Sequence, residues 1–143
     1  VTLDRRGFLG RLAAALFGLP GVAALLDPAL RRAGSRWIDA GPLDALADGE
    51  AKRVAYPVRG GWETRTKALL LVRRGDGVIA LDATCTHLGC EVRIRGGGGG
   101  LVCPCHGGAF TLEGEPARSP VTEPLARLET SVEDGIVRVR VRA

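Results

Sequence analysis

The chain has no methionine and only six aromatic residues, two Trp, one Tyr and three Phe, in 143 positions. That scarcity, with the length, excludes a large aromatic core and a multi-domain enzyme. Its main body also lacks a charge excess: residues 1–34 hold five Arg against Asp4 and Asp27, whereas residues 35–143 hold 15 basic and 14 acidic side chains. A nearly neutral domain without interleaved aromatic and basic residues is a poor partner for a phosphate backbone, so nucleic acid is not expected as a partner. Glycine is plentiful, with 21 residues beside eight Pro, and 45% hydrophobic with 25% charged residues is a globular composition. A lean, turn-rich domain of this size invites a metal or a disulfide as an additional stabiliser, which directs attention to its four Cys.

The N-terminus has its own logic. Asp4-Arg5-Arg6-Gly7-Phe8-Leu9 precedes an uncharged run over 12–26, the layout of a twin-arginine export signal. A basic amphipathic helix is the alternative, but the run is apolar on every face. No small-residue cleavage site follows, since Asp27-Pro28 comes directly after it. An uncleaved hydrophobic helix is therefore expected, anchoring the chain in a bacterial cytoplasmic membrane. Arg5, Arg6 and Arg11 would lie inside and the folded domain on the periplasmic side. Arg31 and Arg32 work against that orientation, and a cleaved, soluble product is the other outcome. The expected organisation is a signal and anchor over 1–26, a hinge over 27–36 and one domain over 37–143.

In the domain, short segments dominate. Strands are expected over 37–40, 52–58, 67–73, 78–82, 91–95, 101–103, 125–132 and 136–142, separated by Gly41-Pro42, Gly60-Gly61, Arg74-Gly75-Asp76-Gly77, the glycine run 96–100 and Glu133-Asp134-Gly135. From Val137 onward apolar and basic residues alternate, as in a half-buried strand, and Asp134-Gly135 is a strong hairpin turn. A weak helical turn is expected over 42–48. The glycine run predicts a hairpin tip; no helix start or Lys-Ser/Thr follows it to make a phosphate loop. The fold class is all-β.

All four Cys and both His fall within 85–106, as Cys85-Thr86-His87-Leu88-Gly89-Cys90 and Cys103-Pro104-Cys105-His106-Gly107-Gly108. Cys-x-His and Cys-x-x-His, on two loops, can close around one centre. Tetrahedral zinc would be satisfied by two Cys and two His, but leaves Cys90 and Cys105 unexplained.

The two boxes resemble the signature of the Rieske iron-sulfur proteins, in the disulfide-containing form found in cytochrome bc and b6f complexes. The resemblance runs from about Gly41 to the C-terminus and takes in 116–124 as the proline-bearing third loop. It implies an antiparallel β-sandwich with a cluster-binding subdomain and one [2Fe-2S] cluster per chain. Cys85 and Cys103 would hold one iron, His87 and His106 the other, and Cys90 and Cys105 would form a disulfide between the loops. Imidazoles in place of two thiolates raise the potential far above that of all-Cys ferredoxins. The family's exposed His87 and His106 would accept a hydrogen bond and proton from quinol, and Leu88 would meet the docking surface.

High-potential relatives carry a Ser at the position of Gly108 and a Tyr at that of Phe110, whose hydroxyls bond to cluster sulfur and to a Cys ligand. Their absence implies a centre in the lower part of the roughly −150 to +300 mV Rieske range, suited to menaquinol. The function expected is the redox subunit of a quinol-cytochrome c reductase, with a cytochrome b-type membrane subunit and a cytochrome c-type acceptor as partners. The small subunit of a periplasmic molybdenum oxidase resembling arsenite oxidase is the alternative. A soluble Rieske ferredoxin or oxygenase component fits less well, because such proteins generally lack the extra Cys pair.

Overall fold

A computed structural model describes residues 34–60, 63–97 and 99–142. The expected export signal, anchor helix and most of the hinge lie outside the described residues. Among the described residues no helix is long and apolar enough to cross a membrane.

Among the described residues, eleven strands and one 3-10 turn follow in order: β1 (Ser35–Pro42), the turn Leu43–Ala45, β2 (Ala51–Gly60), β3 (Glu63–Arg74), β4 (Gly77–Asp82), β5 (Arg93–Ile94), β6 (Leu101–Val102), β7 (Ala109–Phe110), β8 (Pro116–Arg118), β9 (Arg127–Leu128), β10 (Thr130–Glu133) and β11 (Ile136–Arg142). They form three antiparallel sheets, ordered β1-β11-β10, β2-β3-β4-β9 and β5-β6-β7-β8. The all-β expectation holds.

β3 explains how three sheets share so few large side chains. Ala68, Leu69, Leu70, Leu71 and Val72 are all buried, and successive side chains of a strand point to opposite faces. Leu69 and Leu71 join Tyr56, Val137, Val139 and Val141 in one core, while Ala68 and Leu70 join Leu81, Val92, Leu101 and Phe110 in another. A strand buried on both faces reads as a continuous apolar run. β11 has one dry face, and its Val137, Val139 and Val141 are buried between less buried Arg residues, as the alternation predicts. Asp134 and Gly135 take positive φ values of 51° and 74°, the backbone of a two-residue turn that follows the sheet twist.

Several expectations need correction. The stretch 125–132 is two strands in different sheets: β9 pairs with β4 and β10 with β11, the chain changing sheets at Glu129. A period of two residues says nothing about which sheet a strand joins, so the change leaves no mark in the pattern. The stretch 91–95 contributes only Arg93–Ile94, with Glu91 in an isolated bridge to Thr84. Gly41-Pro42 does not end β1 but lies within it, at a bulge where Gly41 takes φ 111°. β7 and β8, of two and three residues, are too short to show a period and were not expected. The helical turn expected over 42–48 is the shorter 3-10 turn Leu43–Ala45.

Candidate metal centre

The third sheet presents the Cys and His loops. Residues 85–90 follow β4, and residues 103–108 connect β6 to β7. Each loop is closed by the same two backbone hydrogen bonds. Gly89 N–H donates to Cys85 O at 2.9 Å and Cys85 N–H to Cys90 O at 2.8 Å; Gly107 N–H donates to Cys103 O at 3.0 Å and Cys103 N–H to Gly108 O at 2.8 Å. The turn back at the fifth residue needs a left-handed backbone, and Gly89 and Gly107 supply it with φ of 76° and 73°. The thiol-bearing residues thus begin their loops rooted in the core: Cys85 and Cys103 are 3% and 2% exposed and pack with Val92, Leu101 and Phe110. Both carry free thiols.

The loop crests face outward. His87 and His106 are exposed, their ring centroids 5.0 Å apart and their planes nearly perpendicular. Leu88, on the crest of the first loop, is 69% exposed, an unusual position for a leucine, which excludes an ordinary core role. Cys90 and Cys105 form a disulfide across the two loops, with Cα atoms 6.5 Å apart. The sulfurs of Cys90, Cys103 and Cys105 lie within 4.8 Å of one another, yet two of these are spent on the disulfide, so this trio is not itself a metal-ligand set. What remains is two buried thiols and two exposed imidazoles, a sulfur and nitrogen donor set that suits iron-sulfur or zinc binding.

Burial above all pushes the Cys85 thiol above its ordinary range, with the Cys103 thiol adding to the shift; backbone N–H groups of His87 and Leu88 oppose it by favouring the thiolate. Those N–H groups give a sulfur at Cys85 hydrogen bonds from its own loop.

Side chains elsewhere brace each loop. Thr86 donates its hydroxyl to Glu123 O at 2.9 Å, tying the first loop to the stretch after the cis Ser119-Pro120 bond. Arg53 on β2 bonds both carboxylate oxygens of Glu91, at 2.8 and 3.1 Å. In the second loop Gly107 O accepts from Arg118 Nε at 2.8 Å and also from its Nη2. Gly108 is packed tightly, since a Cβ there would come within 2.8 Å of Val121 Cγ1. Phe110 is fully buried. Of these braces, Arg118, Val121 and Glu123 lie in the 116–124 loop that the resemblance marked, though their contacts had no cue; Thr86 and Arg53 were not expected as braces.

The Rieske [2Fe-2S] domain model matches residues 36–129. The cytochrome b6-f complex iron-sulfur subunit of Chlorobaculum tepidum is 28% identical over 141 residues, covering 99% of this chain and 77% of the relative. The carotenoid phi-ring synthase of the same organism is 40% identical over 89 residues, 58% of this chain, and the match spans only 14% of that longer protein. A chain of a hyperthermophilic respiratory Complex III superposes with a TM-score of 0.52 at 26% identity, covering 94% of this chain and 99% of that one. The family match selects the [2Fe-2S] cluster over tetrahedral zinc, which the same donor set would also satisfy. The chain belongs to the Rieske [2Fe-2S] domain family, and the [2Fe-2S] cluster is its cofactor.

Proposed function

We propose that this protein is the Rieske electron-transfer subunit of a quinol-oxidising cytochrome bc-type complex, and so works as the redox subunit of an oxidoreductase. The observation that carries the proposal is the match to a cytochrome b6-f iron-sulfur subunit along 99% of the chain. These relatives do not favour the molybdenum-oxidase alternative.

Cys85 and Cys103 would hold one iron and His87 and His106 the other; two core-rooted thiols and two surface imidazoles support that division. The bound cluster supplies a one-electron acceptor whose potential is raised by its neutral ligands. The chain's own groups do the rest. The burial of Cys85 and Cys103 keeps water from the sulfur side, and the disulfide holds the loops at a fixed spacing. Each imidazole keeps one ring nitrogen away from the metal, and at the exposed tip that nitrogen accepts a hydrogen bond from the quinol hydroxyl and then its proton. Leu88 offers an apolar contact beside the imidazoles, where a quinol site or the acceptor would dock.

The proposal extends to parts without a structural description. Residues 1–26 would be the twin-arginine signal and membrane anchor, 27–36 the hinge and 37–143 the Rieske domain, on the periplasmic side. Quinol, a cytochrome b-type subunit and a cytochrome c-type acceptor would be the partners. With Gly108 and Phe110 providing no hydroxyl, the centre would lie low in the Rieske range and serve menaquinol.

Low-temperature EPR of reduced membranes, with a quinol-site inhibitor added to half the sample, tests the function. A Rieske signal that the inhibitor shifts is expected. A signal that does not move would remove the quinol site, and no signal would remove the ligand assignment.

A further inference from the structure

The free thiol of Cys103 sits beside a disulfide. Its Sγ lies within 4.8 Å of both Cys90 Sγ and Cys105 Sγ, in a loop whose backbone is held by the Cys103 hydrogen bonds to Gly107 and Gly108. A thiolate this close to a disulfide is a nucleophile with its electrophile already in place, and exchange between them needs no external oxidant. What separates this thiol from reaction is a competing use of its sulfur, which metal ligation provides.

We propose that loss of the cluster opens an internal thiol–disulfide exchange in which Cys103 takes over Cys90 and releases Cys105. The inference rests on the assignment of Cys103 as an iron ligand. In the step, Cys103 Sγ attacks Cys90 Sγ, the Cys103–Cys90 bond forms, the Cys90–Cys105 bond breaks, and the proton given up by Cys103 ends on Cys105. One disulfide and two thiols stand on each side, so there is no net oxidation. Attack on Cys90 is preferred over Cys105 because only Pro104, with its locked φ, separates Cys103 from Cys105, and a bridge between them would close a very tight ring. The products also differ in accessibility: Cys103 is buried and Cys105 exposed, so exchange turns a shielded thiol into a surface one.

The consequence is an order of events. A chain that receives its cluster before Cys90 and Cys105 oxidise keeps the disulfide where it belongs, because the Cys103 sulfur is occupied. A chain oxidised first, or one that later loses its iron, moves the bridge onto a ligand and takes up a cluster only after the exchange has run in reverse, with Cys105 attacking Cys90 and releasing Cys103. The cluster thereby guards the disulfide as much as the disulfide braces the cluster loops.

The test uses the full-length holoprotein, divided in two under anaerobic, thiol-free conditions. One half is stripped of iron with a chelator at neutral pH, and both are quenched in acid, alkylated with N-ethylmaleimide in mildly acidic denaturant, digested and mapped by mass spectrometry. The holoprotein is expected to give labels on Cys85 and Cys103 with the Cys90–Cys105 link intact. The stripped chain is expected to lose that link and to show a Cys90–Cys103 bridge with labels on Cys85 and Cys105. Labels on Cys85 and Cys103 in both halves would overturn the exchange. The variant C103S separates the two ideas: retention of iron would overturn the ligand assignment, whereas an iron-free C103S beside an unexchanged wild-type apo chain would overturn the exchange alone. If C103S does not accumulate, the two wild-type halves still decide the exchange.

Discussion

In residues 85–90 the imidazole follows its thiol by two positions, and in residues 103–108 by three, yet both loops close with the same pair of backbone hydrogen bonds and the same left-handed glycine. The shared closure fixes where each thiol enters the core. The two rings then stand edge to face, 5.0 Å apart. Outside that plan the loops part. The first is braced by polar contacts at its surface, Thr86 to Glu123 O and Glu91 to Arg53, and the second by packing of Gly108 on Val121 and by Arg118 on Gly107 O. Identical backbone demands can therefore be met with different outer supports, and the two loops should fail differently when those supports are removed.

The disulfide that joins the two loops should matter most to stability. Cys90 and Cys105 are 15 residues apart, and opening a disulfide over a loop of that length costs about 3 kcal/mol on the chain-entropy account. Cys90→Ser combined with Cys105→Ser should lower stability by that order in chemical denaturation of the cluster-bearing protein. A loss below about 1 kcal/mol would mean that the cluster alone holds the loops together.

The second loop should be the one that breaks by overpacking. Gly108→Ser places a Cβ within 2.8 Å of Val121 Cγ1, and small-to-large changes in a packed site cost roughly 1–3 kcal/mol. Adding Val121→Ala should recover most of that loss. The hydroxyl of Gly108→Ser needs room that Val121 occupies, so redox titration of Gly108→Ser with Phe110→Tyr should show the full rise in potential in the variant that also carries Val121→Ala. A stable Gly108→Ser single variant would show that Val121 yields freely.

The first loop should respond to acid. Glu91 is held below the usual carboxylate range chiefly by its hydrogen bonds from Arg53. A carboxylate with a lowered native pKa stabilises the fold above its unfolded value and loses that contribution as pH falls through the lower native one. Both side chains are more than one-third exposed, at 43% and 41%, so the pair is worth less than about 1 kcal/mol. Glu91→Gln should flatten the acid side of the stability curve slightly. Hydrogen exchange should show the loosening at 85–90 and leave 103–108 unchanged.

The all-β class was legible because turn chemistry and alternation mark β11 and the hairpins at Gly75-Asp76 and Asp134-Gly135. The sheet change at Glu129 and the short strands β7 and β8 were not, since a period of two residues carries no information about which sheet a strand joins, and two residues carry no period. At the site, the two boxes marked Cys85, His87, Cys103 and His106 as candidate donors, and the resemblance to the family divided them into a thiol pair and an imidazole pair. The resemblance pointed to the segment 116–124 but not to the contacts of Arg118 and Val121 within it, and Arg53 had no cue at all, because each reaches its loop by a contact that any of several side chains could make.

By itself the sequence determined which groups gather at the centre: four Cys and two His in two short boxes, and glycines where the backbone must turn left-handed. Those properties belong to residue type and local spacing. Only the tertiary structure decided that the thiols are buried and the imidazoles exposed, that Leu88 stands at the tip, that Val121 excludes a side chain at Gly108, and that the Cys103 thiol lies against the disulfide. Each of these depends on which distant surface the chain brings against the loop, and distance in sequence holds no record of contact in space.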